Sequence, residues 1–94
     1  MKKITKEAVT ALYGKYEWTK GNTKVNTTDG NSSMYLNGSC IARLTPNGLE
    51  INHQGDLTNM TKERLNGVPG VSIRQLDFVW YLNGVVMKDG WNKI

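Results

Sequence analysis

The sequence predicts an α+β protein: a twisted antiparallel β-sheet of hairpins, with about five to seven strands, an N-terminal helix and a short second helix near residues 58–66. Two observations lead to this fold class. Apolar residues recur at helical spacing in the first turns of the chain, and Asn-Gly or Asp-Gly pairs separate short β-prone segments further on. With 94 residues, 38% of them apolar, the chain is expected to form a single domain over residues 1–94.

The amino-terminal segment is predicted to be a helix that packs on the sheet. Ala8, Leu12 and Tyr16 lie four residues apart and form an apolar stripe beside a face that carries lysines. Thr5 is the expected N-cap residue, and Gly14 marks the expected end of the helix.

The middle of the chain has the composition of an antiparallel meander. Strands are expected near residues 23–28, 32–36, 39–44 and 49–52, with DG, NG and PNG between them. Asn-Gly favours a two-residue type I′ turn, because both central residues take positive φ and Asn and Gly tolerate it best.

A second helix is predicted in the segment DLTNMTKERLNGVPG, where Thr58 or Thr61 can cap the start and Gly67 offers a left-handed cap at the end. Three further strands are expected in VSIRQL, FVWYL and VVMK. A second Asn-Gly pair, at residues 83 and 84, joins the last two.

The tetrapeptide YLNG occurs at residues 35–38 and 81–84, and both copies predict the same hairpin geometry. Because side chains alternate along a strand, each Leu should point to one face and each Tyr to the other. The expected core face consists of Met34, Leu36, Ile41, Phe78, Trp80, Leu82, Val85 and Met87. The expected opposite face consists of Tyr35, Cys40, Ala42, Val79, Tyr81, Val86 and Lys88. That face is either partly covered or a recognition surface with the two tyrosines as anchors.

Composition and charge limit the classes of function. No run approaches the roughly 18–20 apolar residues of a membrane helix, so we expect a soluble protein with no membrane partner. Cys40 is the only cysteine, which excludes an intramolecular disulfide and a cysteine-based zinc cluster. The net charge of +4 suits either an ordinary solvated surface or an anionic partner.

Groups able to carry out catalysis are sparse. His53, Gln54 and Asp56 could form a small acid-base cluster, but we favour a solvated histidine in a turn. Neither GxxxxGK[ST] nor GxGxxG occurs among the ten glycines. We therefore expect a protein that is not an enzyme and has no catalytic residues, no metal site and no cofactor.

The candidate binding residues are Tyr35, Tyr81, Arg43, Arg74 and Lys88. On a sheet face, exposed tyrosines can anchor a protein partner. The alternative partner is nucleic acid, whose bases stack on aromatic rings beside basic side chains. A monomer and a homodimer both remain open, because an edge strand at residues 23–28 or 85–88 could pair across a twofold axis.

Four segments together resemble a family of small bacteriophage proteins: KGNTKV (20–25), MYLNGSCIA (34–42), TKERLNGVPGV (61–71) and YLNG (81–84). The shared pattern is NTxV, LxG followed by IA, TxxRLN and a terminal LNG. The resemblance implies an accessory protein in the host cytoplasm that binds and modulates or inhibits a host protein or ribonucleoprotein complex, including CRISPR-type defence components. It transfers no catalytic or binding residues.

Overall fold

The computed structural model describes residues 1–94 and confirms the α+β class, with two helices and nine strands. In chain order these are α1 Lys3–Gly14, β1 Trp18–Lys20, β2 Thr23–Thr28, β3 Asn31–Leu36, β4 Ser39–Thr45, β5 Gly48–Ile51, α2 Asn59–Asn66, β6 Ile73–Leu76, β7 Val79–Leu82, β8 Val85–Val86 and β9 Asn92–Lys93. The short second helix, expected near residues 58–66, is α2.

The strands form two antiparallel sheets. The large sheet has the order β1-β2-β3-β4-β5-β9, and the small sheet has the order β6-β7-β8. The predicted hairpins are therefore divided between two sheets. The expectation of an edge strand at residues 23–28 is wrong, because β1 pairs with β2 on its other side, whereas β8 is an edge.

Both Asn-Gly turns have the predicted conformation. The φ angles are 50° and 83° at Asn37 and Gly38, and 50° and 86° at Asn83 and Gly84. Two successive positive φ values define the type I′ turn, whose twist matches that of the strands it joins. Local turn chemistry thus sets these two hairpins.

The observed register of β3 and β4 differs from the predicted one because β4 contains a β-bulge. Tyr35 lies opposite Cys40 as expected, but Met34 lies opposite Ala42, so that Ile41 is the extra residue on β4. Ile41 and Ala42 are both buried in the core. The placement of Ala42 on the outer face was therefore wrong, because a bulge breaks the strict alternation on which that prediction depended.

The core lies between α1, α2 and the inner faces of the two sheets. Its members are Ala8, Ala11, Leu12, Val25, Met34, Leu36, Ile41, Ala42, Leu49, Ile51, Leu65, Val68, Val71, Ile73, Trp80 and Met87. As expected, α1 packs against the large sheet, contributing Ala8, Ala11 and Leu12. Each fully buried Leu or Ile side chain contributes about 1.5–3 kcal/mol.

The ends of the helices differ in part from the prediction. Helix α1 begins at Lys3, and Thr5 lies inside it, fully buried, so Thr5 is not the N-cap residue. Thr58 does cap α2, because its hydroxyl accepts a hydrogen bond from the Thr61 backbone N–H at 3.2 Å. Gly67 follows α2 with a φ of −76° and not in the left-handed region. A Cβ there would lie 2.3 Å from the Thr5 side chain, so glycine is needed for the close approach of α2 to α1.

A buried arginine joins the two helices to the large sheet. Arg64 is 3% exposed, and its guanidinium donates hydrogen bonds to the hydroxyls of Thr23 at 3.2 Å and Thr5 at 3.0 Å. It also pairs with the Glu63 carboxylate. Arg64 thereby connects α2 to β2 and α1, and its charge is compensated inside the fold.

Glu63 completes this network. Burial opposes ionisation of its carboxyl, but hydrogen bonds from the Thr5 hydroxyl at 2.5 Å, the Lys2 backbone N–H and Arg64 outweigh it, and they lower the pKa of Glu63. A carboxylate whose pKa falls on folding stabilises the native state at neutral pH.

Replacing Arg64 is expected to destabilise the fold strongly. Arg64→Ala leaves two buried hydroxyls and the Glu63 carboxylate without a cationic partner, so the free energy of unfolding should fall by about 3 kcal/mol. Urea denaturation measures it. As the control, Arg74→Ala changes the same residue type at an exposed position and should cost less than about 0.5 kcal/mol. Equal losses in the two variants would contradict the structural role of Arg64.

The lowered pKa of Glu63 predicts a pH-dependent difference between wild type and Glu63→Gln. The stability that ionised Glu63 contributes is fully present above its ordinary pKa of 4.5 and is lost as the pH falls through the lowered pKa of the folded state. The gap in free energy of unfolding should therefore be larger at pH 7 than near pH 3. Glu7→Gln, which removes an exposed ion pair with Lys20, is the control and should cost less than about 1 kcal/mol. A gap independent of pH would contradict the prediction.

Candidate functional site

The outer face of the small sheet is an open apolar surface. In its register Leu76 lies opposite Val79, and Tyr81 lies between Arg74 and Val86. Leu76 is 63% exposed and Val86 55%, whereas Tyr81 is half-buried. We call this surface the small-sheet face; its residues are Arg74, Leu76, Phe78, Val79, Tyr81 and Val86.

Phe78 lies at the tip of this face and is 90% exposed. The register of Leu76 with Val79 leaves Asp77 and Phe78 as a two-residue turn, with φ angles of 51° and 68°. The Asn-Gly turns have the same pair of left-handed conformations. Here, however, the second residue is a phenylalanine where glycine is best tolerated, and its positive φ costs about 1–3 kcal/mol of stability. The prediction of Phe78 in the core was wrong, because Phe78 belongs to the turn and not to a strand.

The rest of the small sheet follows the predicted alternation with one exception. Trp80 and Met87 are buried, and Leu82 is partly buried against the core. Val85 is 70% exposed, so its assignment to the core was wrong. It directly follows the exposed Asn83-Gly84 turn and belongs to the edge strand β8.

Two asparagine side chains fasten the base of the small sheet. The Asn66 amide accepts from the Ile73 backbone N–H at 2.6 Å and donates to the Ile73 carbonyl at 3.2 Å, as a neighbouring strand would. The Asn83 amide accepts from the Ser72 N–H at 2.9 Å and donates to the Gly70 carbonyl at 3.0 Å. Asn83 thus does more than form a turn, and the sheet is held at the end opposite to Phe78.

The five candidate binding residues are divided between two surfaces. Tyr81 and Arg74 belong to the small-sheet face, and Lys88 is exposed just beyond β8. Tyr35 and Arg43 lie on the outer face of the large sheet, where Tyr35 is opposite Lys24 and Arg43 is opposite Ser33. The two tyrosines therefore do not form one surface, and a binding role for either remains a prediction.

Arg43 is held by contacts within the protein. Its Nε donates to Glu50 Oε1 at 3.1 Å, and its guanidinium carbon lies 3.9 Å from the centre of the Trp91 ring. Such a stacked and paired guanidinium is pre-ordered, and its flat face covers an aromatic ring.

His53 is buried, so its interpretation as a solvated turn residue was wrong. Its Nδ1 accepts a hydrogen bond from the Gly55 N–H at 2.9 Å, and this places the proton of the neutral ring on Nε2. Nε2 faces Asp89 Oδ1 at 3.4 Å, and the ring edge packs on Trp80 at 5.8 Å between centres. Gln54 bonds elsewhere, to the Cys40 carbonyl at 2.6 Å.

Cys40 is a thiol in a partly buried strand. Burial raises the pKa of Cys40 above its ordinary value of 9.0, although hydrogen bonds with Ser33 and Ala42 and the charge of Arg43 oppose the rise. The thiol is protonated at neutral pH and is a poor nucleophile in this form. No three His, Cys, Asp or Glu side chains are grouped closely enough to hold a metal ion.

Sequence reasoning missed Phe78 and Leu76 as exposed residues. The signal that could have found them is Asp77, since Asp is a common first residue of a two-residue hairpin turn. Phe at the second position does not fit turn chemistry, so FVWYL was interpreted as one continuous strand.

These elements define a small α+β protein with two antiparallel sheets around a shared core and an open apolar face on the smaller sheet. The family model described as Kyanoviridae Gp96 protein matches residues 1–94, and the chain belongs to this bacteriophage protein family. The resemblance to a phage family is thereby confirmed. No curated protein and no solved structure matches the chain. Neither helix is long and apolar enough to cross a membrane.

The strained turn at Phe78 yields a stability prediction. Phe78→Gly places the residue best suited to a left-handed conformation in the turn and loses few contacts, so the free energy of unfolding should rise by about 1 kcal/mol. Thermal or urea denaturation measures it. Phe78→Ala is the matched control, because it removes the same ring but keeps a Cβ at positive φ, and it should change stability by less than about 0.5 kcal/mol. If the two variants are equally stable, the turn is not strained.

Proposed function

We propose that this protein is a non-enzymatic phage accessory protein that binds a macromolecule of the bacterial host through the small-sheet face. The observation that carries the proposal is the concentration of exposed apolar side chains within eleven residues of sequence. These residues are Leu76, Phe78, Val79 and Val86. Exposed apolar side chains scattered singly need no explanation, but a contiguous group is typical of an interaction surface.

The composition of the face supports a protein or ribonucleoprotein partner. Tyr and Arg are enriched among the residues that dominate binding energy at protein interfaces, and Tyr81 lies directly opposite Arg74. Phe78 adds an aromatic ring that projects from the tip and can enter a pocket on the partner. The anchors are pre-ordered, because the base of the sheet is held by Asn66 and Asn83.

Binding would modulate or inhibit the host macromolecule by covering part of it. A CRISPR-type defence component is one candidate, on the ground that small phage proteins often act on such systems. This candidate rests on the phage setting and not on the chemistry of the face.

The proposal is tested with tagged protein in host-cell lysate, by quantitative mass spectrometry of the captured proteins. Wild type should enrich a specific host component. Phe78→Gly and Tyr81→Ala should reduce its capture at least about tenfold, as expected for the loss of a dominant interface residue. Because Phe78→Gly is expected to fold at least as well as wild type, its loss of binding could not be attributed to unfolding.

The matched control is Tyr13→Ala, which removes an exposed tyrosine from α1, far from the small sheet in sequence. It should leave capture unchanged. The proposal fails if wild type enriches no host component, or if Phe78→Gly and Tyr81→Ala capture as much of it as wild type does.

A further inference from the structure

The outer face of the large sheet carries a concave site whose lining is mostly polar, in contrast to the apolar small-sheet face. An open cleft of about 520 Å³ lies over β1, β2 and β3 beside the Asn37-Gly38 turn. Volumes of this size are typical of sites for small ligands. The only apolar side chain in its lining is that of Tyr35. Apart from two glycines, the other residues offer hydroxyls, amides and one amine.

The cleft is positive and contains no acidic side chain. Lys24 is exposed and lies directly opposite Tyr35 in the register, with Thr19 opposite Lys24 on its other side. Lys24 forms no ion pair, whereas the Lys20 amine near it in sequence pairs with Glu7. An anionic ligand therefore meets an uncompensated cation there.

Two amide side chains in the cleft have hydrogen-bonding capacity that the fold does not use. Asn26 and Asn37 form no side-chain hydrogen bonds within the protein. By contrast, the Asn22 amide is engaged with Met60 and Thr23. An amide presents a donor and an acceptor together, which suits the edge of a base.

We propose that this cleft binds a nucleotide unit, either as a free nucleotide or as part of single-stranded nucleic acid. The base stacks on Tyr35, the phosphate pairs with Lys24, and the amides of Asn26 and Asn37 contact polar edges. An aromatic ring beside a basic side chain on an open sheet is the arrangement that holds unpaired bases. This inference does not depend on the proposed function of the small-sheet face.

The outer face of the large sheet extends beyond this cleft, where further nucleotides of a bound nucleic-acid strand would lie. Ser33 lies two residues from Tyr35 on β3, and Arg43 is opposite Ser33 on β4, stacked over Trp91. A second concavity, of about 460 Å³, includes Ser33 and Arg43 in its lining. The lining of this second concavity also includes Glu50, which pairs with Arg43, so a longer chain meets there a cation whose charge is already compensated.

The test is fluorescence anisotropy of the full protein with a labelled ten-nucleotide oligothymidylate and with a labelled duplex, each at low and moderate salt. Oligothymidylate should bind better than the duplex, and its binding should weaken with salt. Tyr35→Ala should weaken it about tenfold or more. Lys24→Gln should weaken binding and reduce the salt slope by about one phosphate contact. Lys6→Gln, the same change at an exposed lysine of α1, should do neither.

Competition by thymidine 5′-monophosphate distinguishes a free nucleotide from single-stranded nucleic acid as the ligand. Displacement of the oligomer by the mononucleotide supports a free nucleotide as ligand, and binding without displacement supports a strand. The proposal is overturned if neither nucleic acid binds at low salt, if the duplex binds as well as the single strand, or if Tyr35→Ala binds unchanged. Phe78→Gly should bind the oligonucleotide as wild type does, so this test and the capture experiment fail independently.

Discussion

The buried guanidinium of Arg64 is the contact on which the arrangement of both helices depends. A charge that is 3% exposed must have partners inside the protein, and its partners come from three different elements: Thr23 on β2, Thr5 on α1 and Glu63 on α2. The hydroxyls of Thr5 and Thr23 accept from Arg64 while they donate to Glu63 and Asn22, so the guanidinium takes part in a wider polar network. Gly67 permits the close approach that this geometry needs.

The position of the small sheet follows from α2. Asn66, two residues after Arg64, pairs with the backbone of Ile73 and so begins β6 at a fixed distance from the helix. Trp80 on β7 and Met87, which directly follows β8, then reach the shared core. Asn83 ties its own turn, at the base of the sheet, to Gly70 and Ser72. The sheet is anchored on one side and at one end, which leaves its outer face and the tip at Phe78 free for contact with a partner.

The parts of this fold that depend on neighbours in sequence could be predicted. Asn37-Gly38 and Asn83-Gly84 specify their turns through backbone preference alone, and α2 is signalled by its cap at Thr58. The bulge at Ile41 and the burial of Arg64 could not, because each depends on contacts between residues distant in sequence. The placement of the two tyrosines on the faces away from the core was predicted. Their separation on two sheets was not, since alternation within a hairpin does not tell which sheet the hairpin joins.

The residue at position 78 is one that folding alone would not favour. Three other hairpin turns in the chain have two successive left-handed residues, and their second residues are Gly30, Gly38 and Gly84. The fourth has Phe78 in this position, although the ring is 90% exposed and contributes little to the core. Since folding alone favours glycine there, the phenylalanine adds strain without a compensating gain inside the protein. The proposed role of Phe78 as an anchor for a partner on the small-sheet face would account for this strain.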